Sequence, residues 1–263
     1  MHAGVDCGIV REQFAHRPTI SRTARAIRWT QPLRSAIGRA MTNSRAKAPA
    51  PTPKSDAPDG GRIMLVTPPR FDAEALAPKL RAALATGAAG CVRMDMPGAS
   101  EAEIRRAADI LRPICHEADV ALILAEHFRL AGPLGLDGVE VESRAVRLRD
   151  VRAAIGPDAI MGVACGTSRH DGMTAAEAGA DYVLFRPHRV EGALGDGAVA
   201  DLDLFQWWAE MIETPVVAEG GISEAEMAAL APFADFVIPD ADIWDGDVAA
   251  KTTALNAILE ADD

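Results

Sequence analysis

From Arg62 onward, short runs of β-branched or apolar residues alternate eight times with amphipathic stretches. This alternation restricts the chain to folds made of strand–helix units on a parallel sheet. The runs are Ile63 to Thr67, Cys91 to Met94, Ala121 to Leu124, Gly138 to Val141, Met161 to Ala164, Tyr182 to Phe185, Val216 to Ala218 and Phe236 to Ile238. Several are apolar at nearly every position, as strands covered on both faces must be. Between them, Leu76/Leu80/Leu84, Ile104/Ala108/Leu111, Leu148/Val151/Ile155, Leu204/Trp208/Met211 and Thr252/Leu255/Leu259 recur at i+3 or i+4 spacing. Each set marks one buried helical face. Ser100 with Glu103 and Ser223 with Glu226 match the capping box, in which each side chain satisfies an orphan backbone N–H at a helix start.

Eight units in about 200 residues sit at the small end of the (β/α)8 range, so the predicted fold class is α/β, a TIM barrel over residues 61–263. An open doubly wound sheet is the competing arrangement. With 49% hydrophobic residues, a chain of 263 residues buries one sizeable core and is short for two.

Residues 1–60 are of another kind. They carry ten Arg and Lys against four Asp and Glu, a net of +6, which leaves −17 for the rest of a chain whose total is −11. They show no sustained apolar period, and residues 43–61 run through Ala, Pro, Ser, Asp and Gly. Such a stretch cannot offset its ordering entropy, and a disordered basic extension is predicted. It reads either as a basic targeting arm or as a tail upstream of a true start at Met41.

The acidic body repels nucleic-acid phosphates and anionic lipid faces, which excludes both as partners and favours a small-molecule ligand. Cys7, Cys91, Cys115 and Cys165 are scattered without a CxxC pair, against a disulfide framework or a zinc site and in keeping with a cytoplasmic setting. No apolar run approaches the roughly 20 residues that cross a bilayer. The oligomeric state is left open.

In a barrel the reactive groups lie where strands end, at the C-terminal rim. The seventh run ends in Ala218-Glu219-Gly220-Gly221-Ile222-Ser223. There, paired glycines let backbone N–H groups approach an anion ahead of a helix N-terminus, so Gly220 and Gly221 are candidate phosphate-binding residues; the plainer reading is a strand-to-helix turn. His127, His170 and His188 fall in predicted rim loops, where a neutral imidazole works as acid or base, and His127 is the candidate chosen for catalysis; surface decoration is the alternative. Cys165 has no adjacent base and reads as buried packing, and of Trp207 and Trp208 at most one faces the barrel.

Val216 to Ser223 (VVAEGGIS), Glu177 to Val183 (EAGADYV), Leu136 to Glu140 (LDGVE) and Leu65-Val66-Thr67 together resemble the thiamine phosphate synthase family, over essentially all of residues 62–263. The resemblance implies an enzyme of thiamine biosynthesis that joins a hydroxymethylpyrimidine, activated as its pyrophosphate, to thiazole phosphate. Pyrophosphate leaves in an SN1-like displacement, with Mg2+ and basic side chains neutralising it. Framework motifs persist, whereas polar ones are replaced. The family's Gln-x-Arg-x-Lys run at the end of strand two is here Cys91-Val92-Arg93-Met94-Asp95, so Arg93 remains as a catalytic candidate and the lysine position is acidic. Asn-Asp-Arg after strand three becomes Ala125-Glu126-His127, with Glu126 an implied Mg2+ ligand or else a solvated carboxylate. The run after strand four becomes Glu140-Val141-Glu142-Ser143-Arg144-Ala145, where Glu142 substitutes for a family aspartate as metal ligand and Glu140 reads as a rim or core-edge acid. Ser-Thr-His after strand five is replaced by Ala164-Cys165-Gly166, and Thr-x-Thr-Lys is absent after strand six. Arg186, His188 and Arg189 stand there as compensating cations, Arg186 and His188 being the substrate-binding candidates; solvated loop cations are the alternative. These replacements keep two other readings open, a thiazole tautomerase-like isomerase and a non-catalytic barrel that binds a phosphorylated ligand.

Overall fold

The computed structural model describes residues 62–186, 200–220 and 222–261. The predicted basic extension, His188, Arg189 and Gly221 lie outside them. Strands and helices alternate in the order β1 (Ile63–Val66), α1 (Ala73–Leu84), β2 (Ala89–Met94), α2 (Glu101–Glu117), β3 (Ala121–Ala125), α3 (Phe128–Leu134), β4 (Gly138–Glu142), α4 (Leu148–Ile155), β5 (Ile160–Ala164), α5 (Arg169–Glu177), β6 (Tyr182–Phe185), α6 (Leu202–Met211), β7 (Val216–Glu219), α7 (Glu224–Leu230), β8 (Phe236–Ile238) and α8 (Val248–Glu260). A single 3-10 turn, Ala241–Trp244, precedes α8. Each strand pairs in parallel with the next and β8 returns to β1 through Ile63 and Val237, closing the barrel. The eight predicted runs therefore become eight strands, and the open doubly wound alternative is excluded.

Closure divides the strand residues by parity. Outward side chains such as Leu65, Val92, Leu122, Val139, Val163, Phe185 and Ala218 join the helices in one continuous core. Inward ones, among them Met64, Cys91, Ile123, Tyr182, Leu184, Val217 and Phe236, form a second cluster along the barrel axis. Both faces of each strand are thus buried, which explains the near-continuous apolar runs.

The helices follow the predicted faces with one correction. Leu76, Leu80 and Leu84 are buried on α1 and Ile104, Ala108 and Leu111 on α2, but Met211 is 63% exposed because it is the last residue of α6, beyond the packing contact of Leu204 and Trp208. Trp208 is fully buried and donates through Nε1 to Thr214 O at 2.7 Å, while Trp207 is half-buried. Both capping boxes form, at Ser100 on α2 and Ser223 on α7. His170 falls in the first turn of α5, not in a loop.

Polar groups at the N-terminal end of the barrel serve the backbone. The carboxylates of Asp137, Asp181 and Asp235, each directly before an even-numbered strand, accept from Leu122 N at 2.7 Å, Met161 N at 2.8 Å and Val216 N at 2.8 Å at the starts of β3, β5 and β7. The seam between β8 and β1 is held by Arg62, whose guanidinium donates to the carbonyls of Ala231 (2.7 Å), Ala234 and Leu259. Donors and acceptors that would otherwise be orphaned are satisfied there without occupying the barrel interior.

Candidate active site

The inward parity of the strands brings charged residues to the C-terminal end of the barrel axis. On β2, Cys91, Arg93 and Asp95 follow one another at spacing two. Glu140 lies on β4, Tyr182, Leu184 and Arg186 on and just after β6, and Glu219 at the end of β7. Arg93 Nη1 donates to Glu140 Oε1 at 2.5 Å, its Nη2 donates to Glu219 Oε1, and Asp95 Oδ2 lies 3.7 Å from Nη2. Glu219 Oε2 is 3.0 Å from Arg186 Nη2, so a single carboxylate stands between two guanidinium groups. On the far side, the Tyr182 hydroxyl donates to Glu140 Oε2 at 2.5 Å.

Small residues make room for this network. Gly162 on β5 is the register partner of both Glu140 and Tyr182, and a Cβ built there would lie 2.0 Å from the Tyr182 ring. Glycine at this position lets the tyrosine ring reach across β5 to Glu140. Arg186 is anchored through its backbone, donating to Gly166 O at 3.3 Å and accepting from Ala200 N.

Burial governs the protonation of these groups. It opposes charge on Arg93, but Glu140, Glu219 and Asp95 outweigh it and keep the guanidinium protonated more firmly than usual. Burial raises the carboxyl pKa of Asp95 and of Glu140, with Arg93 opposing it only in part. The Tyr182 phenol is likewise held neutral, first by burial and then by the charge of Glu140. Three carboxyls thus face two guanidiniums, and burial works against ionisation of two of them, Asp95 and Glu140.

The other rim candidates are set apart from this cluster. Glu126 is exposed on the turn after β3, with φ of 62° in the left-handed region that side chains other than glycine seldom occupy, and its N–H donates to Glu140 O at 2.8 Å. His127 is the half-buried N-cap of α3 and makes no side-chain capping bond. Glu142 ends β4 and is half-buried. Since β3 and β4 are neighbours in the barrel, Glu126 and Glu142 project from adjacent strand ends. Among the described residues, no group of three or more His, Cys, Asp and Glu gathers in metal-binding geometry. Gly220 has φ of 114°, a conformation that requires glycine, while the donor that opens α7 is already engaged: Ser223 N donates to Glu226 Oε2 at 2.9 Å within the capping box. The candidate cradle therefore depends on the glycines and not on Ser223.

Two expectations are revised. Glu140 is neither a rim nor a core-edge acid; it is fully buried on the axis, because inward parity places it opposite Arg93. Arg186, read alternatively as a solvated loop cation, is 2% exposed inside the barrel. Glu219 and Tyr182 join the site without being among the sequence-predicted site residues. The signal was present in the sequence: counting every second residue inward from Cys91, Tyr182 and Val217 leads to Arg93, Arg186 and Glu219 once the barrel is assumed. Cys165 is buried as expected, and burial raises its thiol pKa. Cys91, Cys115 and Cys165 are all free and buried, and no described helix is long and apolar enough to cross a membrane.

A closed parallel barrel with its ionisable residues drawn to the C-terminal end of the axis belongs to the class of (β/α)8 barrels that carry their sites at that end. Comparison with known proteins then narrows the class. The family model for thiamine monophosphate synthase matches residues 63–237, and the chain belongs to that family. It is 41% identical over 201 residues to a thiamine-phosphate synthase of Rhodospirillum centenum, covering 75% of this chain and 97% of that protein. It is 31% identical over 208 residues to that of Hyphomonas neptunium, covering 76% and 94%. The fold is shared with a thiamine phosphate pyrophosphorylase from Pyrococcus furiosus at a TM-score of 0.67 and 23% identity, over 76% of this chain and 96% of that one.

Proposed function

We propose that the protein is a thiamine-phosphate synthase-like enzyme of thiamine biosynthesis, joining hydroxymethylpyrimidine pyrophosphate to thiazole phosphate with release of pyrophosphate. The observation that carries this reading is the end-to-end match to relatives that bear the synthase name: the barrel corresponds to 97% of one of them and not to a shared fragment. None of the relatives named above favours a tautomerase or a non-catalytic binding barrel.

The chemistry needs negative charge to be balanced as the bond to pyrophosphate breaks. In this reading Arg93, held protonated by its carboxylate partners, contributes positive potential from the floor of the site, and His127 at the start of α3 serves as the acid–base group. Arg186 and His188, with the backbone at Gly220 and Gly221, hold the phosphorylated groups; His188 and Gly221 lie outside the described residues. Mg2+ binds through one or two carboxylates together with substrate phosphates, not through a closed protein cage, and two glutamates on adjacent strand ends fit that demand. Glu126 and Glu142 would hold it, and the ion would supply charge neutralisation of the leaving pyrophosphate. Buried free thiols agree with a reducing, cytoplasmic setting.

The test is formation of thiamine phosphate from the two precursors by the purified full chain. Turnover that needs both precursors and stops on chelation of divalent ions is expected. A folded protein that forms no product under these conditions would refute the assignment.

A further inference from the structure

Five ionisable side chains meet at the C-terminal end of the barrel axis, and their hydrogen bonds do not close. Arg186 is 2% exposed, yet among the described residues its Nε and Nη1 have no acceptor; Arg93 Nε is in the same state. Desolvating a guanidinium while leaving its N–H groups unmatched is costly, so such donors ordinarily mark the place of an absent acceptor. Nε and Nη1 lie on different edges of the guanidinium, so they offer two separate charge-assisted donors to phosphoryl oxygens and not one bidentate fork.

We propose that Glu219 is a positioning residue for the anionic group of the ligand. Its Oε1 accepts from Arg93, and its Oε2 lies 3.0 Å from Arg186 Nη2 in an ion pair that falls outside hydrogen-bond geometry but draws the Nη2 edge of Arg186 toward β7. With that edge tied to β7 and the backbone tied to Gly166, the free Nε and Nη1 of Arg186 are held ready for phosphoryl oxygens. Glu219 thus acts through Arg186. Without the bridge, the guanidinium is released to turn toward Asp95, which already feels its charge. The inference rests on the reading of this end of the barrel as the site of a phosphorylated ligand, and it adds the residue that orients the cation.

Binding of inorganic pyrophosphate and, separately, inorganic phosphate to the full chain, measured by calorimetry with and without Mg2+, tests it without requiring turnover. Glu219→Gln is expected to weaken pyrophosphate binding about tenfold, and Arg186→Met, which removes the donors themselves, by at least as much. The double variant is expected to bind no more weakly than Arg186→Met alone, because Glu219 has no role once Arg186 is gone. A purely structural role for Glu219 would instead lower the melting temperature and leave affinity unchanged, or give losses that add. Wild-type protein that binds neither anion, or Glu219→Gln binding within about twofold of wild type, overturns the proposal. If Glu219→Gln does not fold, Glu219→Asp keeps the charge and shortens its reach. Weakened pyrophosphate binding by a folded Glu219→Asp supports the proposal, and unchanged binding refutes it. Anion binding with the expected non-additivity in a protein that forms no thiamine phosphate would retain this inference and discard the synthase assignment.

Discussion

The two ends of the barrel use charged residues in opposite ways. At the N-terminal end, Asp137, Asp181 and Asp235 accept from strand N–H groups and Arg62 donates to carbonyls, so that each charge answers a backbone need. At the C-terminal end, Arg93, Arg186, Glu140, Glu219 and Asp95 pair chiefly with one another in the interior, and buried N–H donors are left over. The first arrangement is what closing a sheet requires and the second is what a ligand requires. Two of the four motifs that carry the family resemblance, Leu136 to Glu140 and Glu177 to Val183, contain two of the N-terminal aspartates. Those two identify the scaffold more securely than they identify the chemistry.

Arg93→Ala breaks this contrast most severely. It leaves Glu140 and Glu219 buried without their shared cation, and removal of one partner of a buried pair costs about 3–5 kcal/mol. Chemical denaturation should show a loss of that size together with loss of activity. Replacing the network with apolar residues, Arg93→Leu with Glu140→Leu and Glu219→Leu, should recover much of the stability but none of the activity. If the alanine variant were as stable as wild type, the interior charges would not be coupled as the distances indicate.

Gly162→Ala separates packing from charge at the same end. Its Cβ meets the Tyr182 ring at 2.0 Å, so the tyrosine must leave its bond to Glu140, and overpacking of this kind costs about 1–3 kcal/mol. At the opposite end, Asp137→Ala orphans Leu122 N and removes the contact to His116; about 1–3 kcal/mol of stability should be lost with kcat and KM unchanged in the protein that remains folded. A change in KM on Asp137→Ala would show that the two ends are not independent.

The barrel itself is legible because several of the eight strands are apolar at nearly every position and two helices, α2 and α7, announce themselves through Ser–x–x–Glu. Helices α3 and α5 were harder to read: α3 has seven residues and no side-chain cap, and α5 runs Arg-His-Asp-Gly with little apolar period. The interior network was not legible residue by residue. A glutamate between two valines, as in Val139-Glu140-Val141, looks like a strand-end acid until the barrel's parity turns it inward and a distant arginine supplies its counter-charge. Partners such as Arg93 and Glu219 lie 126 positions apart, and no local pattern links them.

The smallest expected effect concerns Asp95, which separates the two kinds of charge by their response to pH. Its carboxyl pKa is raised because burial outweighs the attraction of Arg93, so the folded protein binds this proton more tightly than the unfolded chain does. The contribution to stability is then fully present below the unfolded pKa of about 3.9 and is lost as pH rises through the higher folded value. Asp95→Asn removes that titration and retains a polar side chain of nearly the same shape. Its melting temperature should therefore gain on wild type as the pH is raised from about 4 to 7, while at the acidic end the two should converge. A gap for Asp95→Asn that narrows with rising pH would mean that Arg93 outweighs burial at this position.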